Sequence, residues 1–228
     1  MNTNKKTARI AGFLYFMYFV TSIIANMFGR FVFVDAPATV NHIMAHESQF
    51  RIGFVISLFS VVFFLLAAWY LYVLLKPVNK NIALLFLLLN LGGFAIWCFS
   101  LLNLFAGLLL LSGADYLKVF QPDQLQAQAM LFINLRKSGA ITAQIPYGIW
   151  LFPLGYLVFK SGFLPKILGI LLIADCFGLL IYVCQRFLLP GYVVISYPCL
   201  VVSFIAEVSL ALWLAIMAVK PRLSVHPE

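Results

Sequence analysis

Residues 82–111 read IALLFLLLNLGGFAIWCFSLLNLFAGLLLL, thirty positions without one charged side chain. A helix rises 1.5 Å per residue, so this run would be about 45 Å long, whereas about twenty apolar residues cross a hydrocarbon core of about 30 Å. It is a membrane span with length to spare, which must tilt, bend or protrude. Gly92-Gly93 marks where a bend or a close helix contact can form.

Five further apolar runs begin near Ile10, Ile52, Ala140, Ile167 and Tyr197, separated by short charged connectors. The expected fold class is all-α: a polytopic membrane bundle of six transmembrane helices, with both termini inside. The spans fall at about 9–28, 51–75, 82–111, 139–159, 167–188 and 196–219. They leave no stretch long enough for a separate soluble domain, so residues 1–228 are expected to form a single integral membrane domain. Composition agrees, with 64% hydrophobic and 10% charged residues, against about 25% charged in soluble domains. Lys5, Lys6 and Arg9 give the first run the look of a secretory signal. Its apolar stretch, 10–28, exceeds the ~7–15 residues of a signal core, and no clean small-x-small site follows, so an uncleaved helix is expected.

The net charge of +8 is distributed as a bilayer requires, and nucleic acid is not an expected partner. One set of alternating connectors holds nine basic residues: Lys5, Lys6, Arg9, Lys76, Lys80, Lys160, Lys166, Lys220 and Arg222. The other holds six: Arg30, Arg51, Lys118, Arg136, Lys137 and Arg186. Asp35, Glu47, Asp115 and Asp123 also fall on that second side. Lys and Arg accumulate on the cytoplasmic side of spans, so both termini are expected inside. The four cysteines, Cys98, Cys176, Cys184 and Cys199, lie in apolar runs without C-x-x-C pairing. Small buried hydrophobes are expected, although Cys184 and Cys199 lie near enough to one membrane face for a disulfide to be conceivable.

The fourth span is unusual. Before it, Pro122 opens a helical stretch in which Leu125, Ala129, Phe132 and Ile133 recur at helical spacing among Asp123, Gln124, Gln126 and Gln128. This reads as an amphipathic interface helix or an outward extension of the span. Within the span, Pro146 and Pro153 each delete a backbone donor, and the freed carbonyls need partners, so this helix should face protein or water.

Charged groups at mid-bilayer cost about 2.5–3.5 kcal/mol even on lenient insertion scales, which directs attention to Asp175 and Glu207. Asp175 lies nine residues from Lys166 and Glu207 thirteen from Lys220, on antiparallel neighbouring helices. Both are well inside the core and must face the bundle interior, carry a proton, or find a partner. Glu207 is expected to carry its proton at rest. A second constellation, Asn41, Glu47, Arg51, Arg136 and Gln144, gathers at the outer face. Arg51 there can snorkel to the interface, or pair with Glu47 four positions away in a polar cup that takes an anionic ligand. His42 and His46 share that spacing, but no further histidine lies near, and neither a metal nor a cofactor is expected. Trp69, Tyr70, Tyr72, Trp150 and Trp213 are expected as interfacial anchors.

Three segments carry a resemblance: DAPATVNHIMAHESQFRIG at 35–53, WLFPLGYLVFKSGFLPKILG at 150–169 and IAEVSLALWL at 205–214. They resemble the bacterial membrane family labelled domain of unknown function 4386. The matching positions are Asp35, Asn41, Glu47, Arg51, Pro153, Gly155, Ser161, Gly162, Pro165, Gly169 and Glu207; His42, His46 and Asp175 are not part of the pattern. The resemblance implies a multi-helix bacterial membrane protein, expected in the inner (cytoplasmic) membrane, and brings no activity with it. The chain is therefore expected to bind a small molecule or lipid, or to act as an accessory protein, through an outer-facing polar cavity. A small proton-coupled carrier using Glu207 is the alternative, and an intramembrane lipid-modifying enzyme a second one. An enzyme is not expected, because no nucleophile–base set or metal cage is recognisable. The lipid bilayer is the one partner implied.

Overall fold

A computed structural model describes residues 3–28 and 43–216. Six long helices carry them: α1 (Thr3–Phe28), α2 (Glu47–Leu75), α3 (Lys80–Leu110), α4 (Pro122–Lys160), α5 (Lys166–Leu188) and α6 (Ser196–Ile216). All six are long and apolar enough to cross a membrane. Burial is distributed as lipid demands. Phe99 is 68% exposed while Asn90 and Asp175 are fully buried, so apolar side chains cover the outside of the bundle and polar ones sit within.

Local chemistry sets the helix ends. The Asn79 side chain accepts the Ile82 N–H at 3.1 Å and starts α3 immediately after the 76–79 turn. Between α4 and α5, Ser161 donates to the Val158 carbonyl and accepts from the Leu164 N–H, and Gly162 takes φ +70°. Between α5 and α6, the Ser196 hydroxyl donates to Gln185 Oε1 at 2.5 Å, while Gln185 Nε2 donates to the Leu189 carbonyl.

Of the two readings of the stretch before the fourth span, the extension holds. The polar stretch after Pro122 is the first part of one 39-residue helix, α4. The start is fixed by the Gln124 side chain, which accepts the Gln121 N–H at 3.0 Å, half of a capping box, with Pro122 in the first turn. No glycine or proline intervenes before Gly139, so nothing stops the helix, and it continues through Pro146 and Pro153 as well.

The residues form two compact units. Unit 1 takes in residues 1–17, 63–93 and 143–228 and is packed closely on glycine. A Cβ on Gly155 would meet the Gly169 carbonyl at 2.7 Å, and one on Gly93 would strike the Tyr147 ring. Gly93 thus marks the close helix contact that its sequence position suggested. Trp150 is a correction: it is 1% exposed, in ring contact with Phe64 and Phe86, because the α4 face opposite the lipid turns it inward and not toward the interface. Trp69, by contrast, is half exposed.

Unit 2 takes in residues 18–62 and 94–142. Its apolar cluster is Ile43, Phe50, Leu108 and Ile133, with Leu104, Phe105, Leu111 and Met130 against it. Hydroxyls join its helices: Ser22 Oγ meets Ser60 Oγ at 2.5 Å, and the Ser100 hydroxyl donates to the Arg136 carbonyl at 2.6 Å. The four cysteines are free, with Cys176 and Cys199 buried and Cys184 exposed.

Candidate functional site

Unit 1 holds the membrane carboxyls. Glu207 lies on α6, one turn beyond Ser203, whose hydroxyl donates to Oε1 at 3.3 Å. From α1, the fully buried Tyr15 donates its hydroxyl to Oε2. Glu207 itself is only partly covered by protein. Asp175, from α5, stands within electrostatic range of Glu207 and beside Ser203. It is fully buried, yet neither carboxyl oxygen has a partner within hydrogen-bond geometry. Both hydroxyls of the cluster are hydrogen-bonded to Glu207, and Ser203 also stands close enough to Asp175 to interact with its carboxyl, though not in hydrogen-bond geometry.

An aromatic layer continues from Tyr15. Its ring lies 5.4 Å from Phe64, which is 5.1 Å from Tyr147 and 5.2 Å from Trp150, and Trp150 is 6.0 Å from Phe86. Asn90 sits on the same α3 face as Phe86 and Gly93, both of which touch this layer. Its side chain is fully buried, and neither amide atom finds a partner. Glu207, through Tyr15, and Asn90, through its helix face, thus both belong to the unit that holds this aromatic layer.

The outer constellation divides. In unit 2, Arg51 Nε donates to Glu47 Oε1 at 2.7 Å, the contact that the spacing of four predicts. Both side chains are nearly half exposed. The Arg51 guanidinium lies over Phe105, whereas Arg136 lies over Trp97, eight residues earlier on α3. Gln144 is half-buried on α4 in unit 1. Asn41 and His42 lie outside the described residues. Among the described residues no group of three or more His, Cys, Asp or Glu is placed to hold a metal ion.

Of the residues expected to matter, Asp175 and Glu207 are brought together, as are Glu47 and Arg51. Tyr15, Ser203, Asn90 and Trp97 were not among them. Tyr15 meets Glu207 across 192 positions of sequence, and no local pattern announces that. Asn90 did carry a signal, being an amide in the middle of the apolar run 82–111.

These features define a class: a multi-pass helical membrane protein with acidic and amide side chains held inside its bundle. The chain belongs to the family described as Domain of unknown function (DUF4386), which matches residues 10–218. It is similar to an uncharacterized protein of Archaeoglobus fulgidus, with 34% identity over 146 residues, 64% of this chain and 71% of that one. No solved structure matches it.

Proposed function

We propose that this is a multi-pass protein of the cytoplasmic membrane, with both termini on the cytoplasmic side, that binds a small polar molecule or lipid headgroup in unit 1. The observation that carries the reading is Asp175, fully buried with both oxygens unpartnered beside Glu207. An unsatisfied buried polar group costs about 1–3 kcal/mol, and a charged one more. Asn90 adds a second such group in the same unit. A packing role is served better by an apolar side chain of that size, whereas a ligand bearing donors would supply what Asp175 lacks. The reading is of a binding or accessory protein and not an enzyme, since the donors to Glu207 are two hydroxyls and no basic side chain completes a nucleophile–base set there among the described residues. Support for the membrane and orientation comes from the nine-to-six division of Lys and Arg.

The test is a density map of the protein purified in native lipid, beside one of Asp175→Leu. Non-protein density against Asp175 in the first and absent from the second is the expected result. Side chains alone filling that space in both would overturn the reading. A proton-coupled carrier is the second reading, favoured by two neighbouring carboxyls whose charge no Lys or Arg of the described residues offsets. It requires uptake into proteoliposomes that follows an imposed pH gradient and disappears in Glu207→Gln.

A further inference from the structure

Independently of the unit 1 cluster, we infer that Arg136 and Trp97 form a site for the phosphate of a membrane phospholipid. Depth comes first. Arg136 lies twenty-four residues before Lys160 on the single helix α4, about 36 Å along its axis, against a hydrocarbon core of about 30 Å. With Lys160 at one interface, Arg136 reaches the headgroup layer of the other. Its guanidinium stands 5.9 Å over the ring of Trp97, a residue type that gathers at that layer. The placement is built and not incidental. The Ser100 hydroxyl donates to the Arg136 carbonyl at 2.6 Å, and Gly139 leaves room for Ser100, whose Cβ would lie 3.0 Å from any Cβ added there.

Among the described residues, Arg136 has no anionic partner. Its Nε is buried with no acceptor, and the ion pairs among the described residues belong to Arg51 and Lys118. A guanidinium drawn partly out of water without a counter-charge is unfavourable. At headgroup depth the membrane itself supplies one abundant acceptor, phosphate, which a guanidinium meets with paired N–H donors. Inorganic phosphate offers the same oxygens. A phospholipid also brings acyl chains for the apolar surface next to the site, where Phe99 and Leu102 flank Ser100 and are 68% and 60% exposed.

The test is native mass spectrometry of the full-length chain, delipidated and titrated with dioleoylphosphatidylglycerol, with a parallel titration of inorganic phosphate. The wild type should retain one lipid more per chain than Arg136→Gln, with about tenfold weaker uptake in the variant, the scale of one charge-assisted hydrogen bond. Arg136→Lys keeps the charge but not the fork and should fall between them. Arg51→Gln should behave as wild type, because Arg51 already has Glu47. Should Arg136→Gln fail to fold, Arg136→Lys and Trp97→Leu carry the comparison. Equal retention by wild type and the Arg136 variants, or equal loss in Arg51→Gln, overturns the site. Inorganic phosphate displacing the lipid one for one at similar concentration overturns the phospholipid assignment.

Discussion

In unit 1, Tyr15 and Ser203 both direct their hydroxyls to Glu207, while Asp175 and Asn90, fully buried, receive nothing. In unit 2, Ser22 meets Ser60 across two helices, Ser100 meets a backbone carbonyl, and Arg51 meets Glu47 at a half-exposed position. The same chemical groups serve different ends. Hydroxyl pairs of the second kind hold helices together for roughly 0.6 kcal/mol each in a membrane, and each of these groups has its partner. Unit 1 instead keeps Asp175 and Asn90 buried in apolar surroundings with donors and acceptors outside hydrogen-bond geometry. Those are the groups that the proposed ligand would answer.

The comparison can be broken first through backbone packing. In unit 1 a Cβ on Gly169 would lie 2.6 Å from the Gly155 carbonyl and 2.8 Å from the Phe159 nitrogen, atoms that cannot rotate away. In unit 2 a Cβ on Gly107 would meet the Ala129 carbonyl at 3.3 Å, a contact that a few tenths of an ångström relieve. Gly169→Val is therefore expected to destabilise by about 3 kcal/mol or more, and Gly107→Ala by about 1 kcal/mol or less. Thermal unfolding in detergent measures both. Equal losses would mean that unit 1 is no more tightly built than unit 2.

Within unit 1 the two carboxyls should respond with opposite signs. Glu207→Leu takes the acceptor from two hydroxyls, one on a fully buried tyrosine, and should cost about 1–3 kcal/mol. Glu207→Gln keeps an acceptor and should cost less. Asp175→Leu removes a group that bonds to nothing in the bundle, so it should leave stability unchanged or raise it by about 1–3 kcal/mol. A loss in Asp175→Leu as large as that in Glu207→Leu would show that Asp175 is packing glue, and its unpartnered oxygens would cease to point to a ligand.

Much of this architecture is legible in the chain itself, for a definite physical reason. Bilayer thickness converts apolar run length into helix count, so six spans follow from arithmetic, and helical rise puts Asp175 and Glu207 at neighbouring depths. The spacing of four that joins Glu47 to Arg51 is equally local. Information that depends on which helices touch is absent from such arithmetic. Tyr15 becomes a partner of Glu207 only once α1 packs on α6, and Trp150 moves from interface to core only once Phe64 and Phe86 close around it. The length of α4 was hidden differently. Its polar first turns resemble a separate surface helix, and the capping of Gln121 by Gln124 decides where it begins.

The smallest effect is expected at Arg51 and Glu47, and it sharpens the contrast with Arg136. Both arginines lie over an aromatic ring of α3, at 5.8 Å and 5.9 Å. One has a carboxylate at 2.7 Å and the other has none among the described residues. The Arg51 pair is nearly half exposed on both sides, so water and salt screen it and it contributes about 0–1 kcal/mol. Single reversals, Glu47→Lys or Arg51→Glu, should each lower stability by no more than that, and the double reversal should restore it. Raising the salt concentration should shrink the difference, since the pair stands in the aqueous layer. Additive losses in the double variant would mean that the two side chains do not interact in solution. An interaction well above 1 kcal/mol would instead place the pair in a desolvated cup, where Arg51 as much as Arg136 would be a candidate for holding an anion.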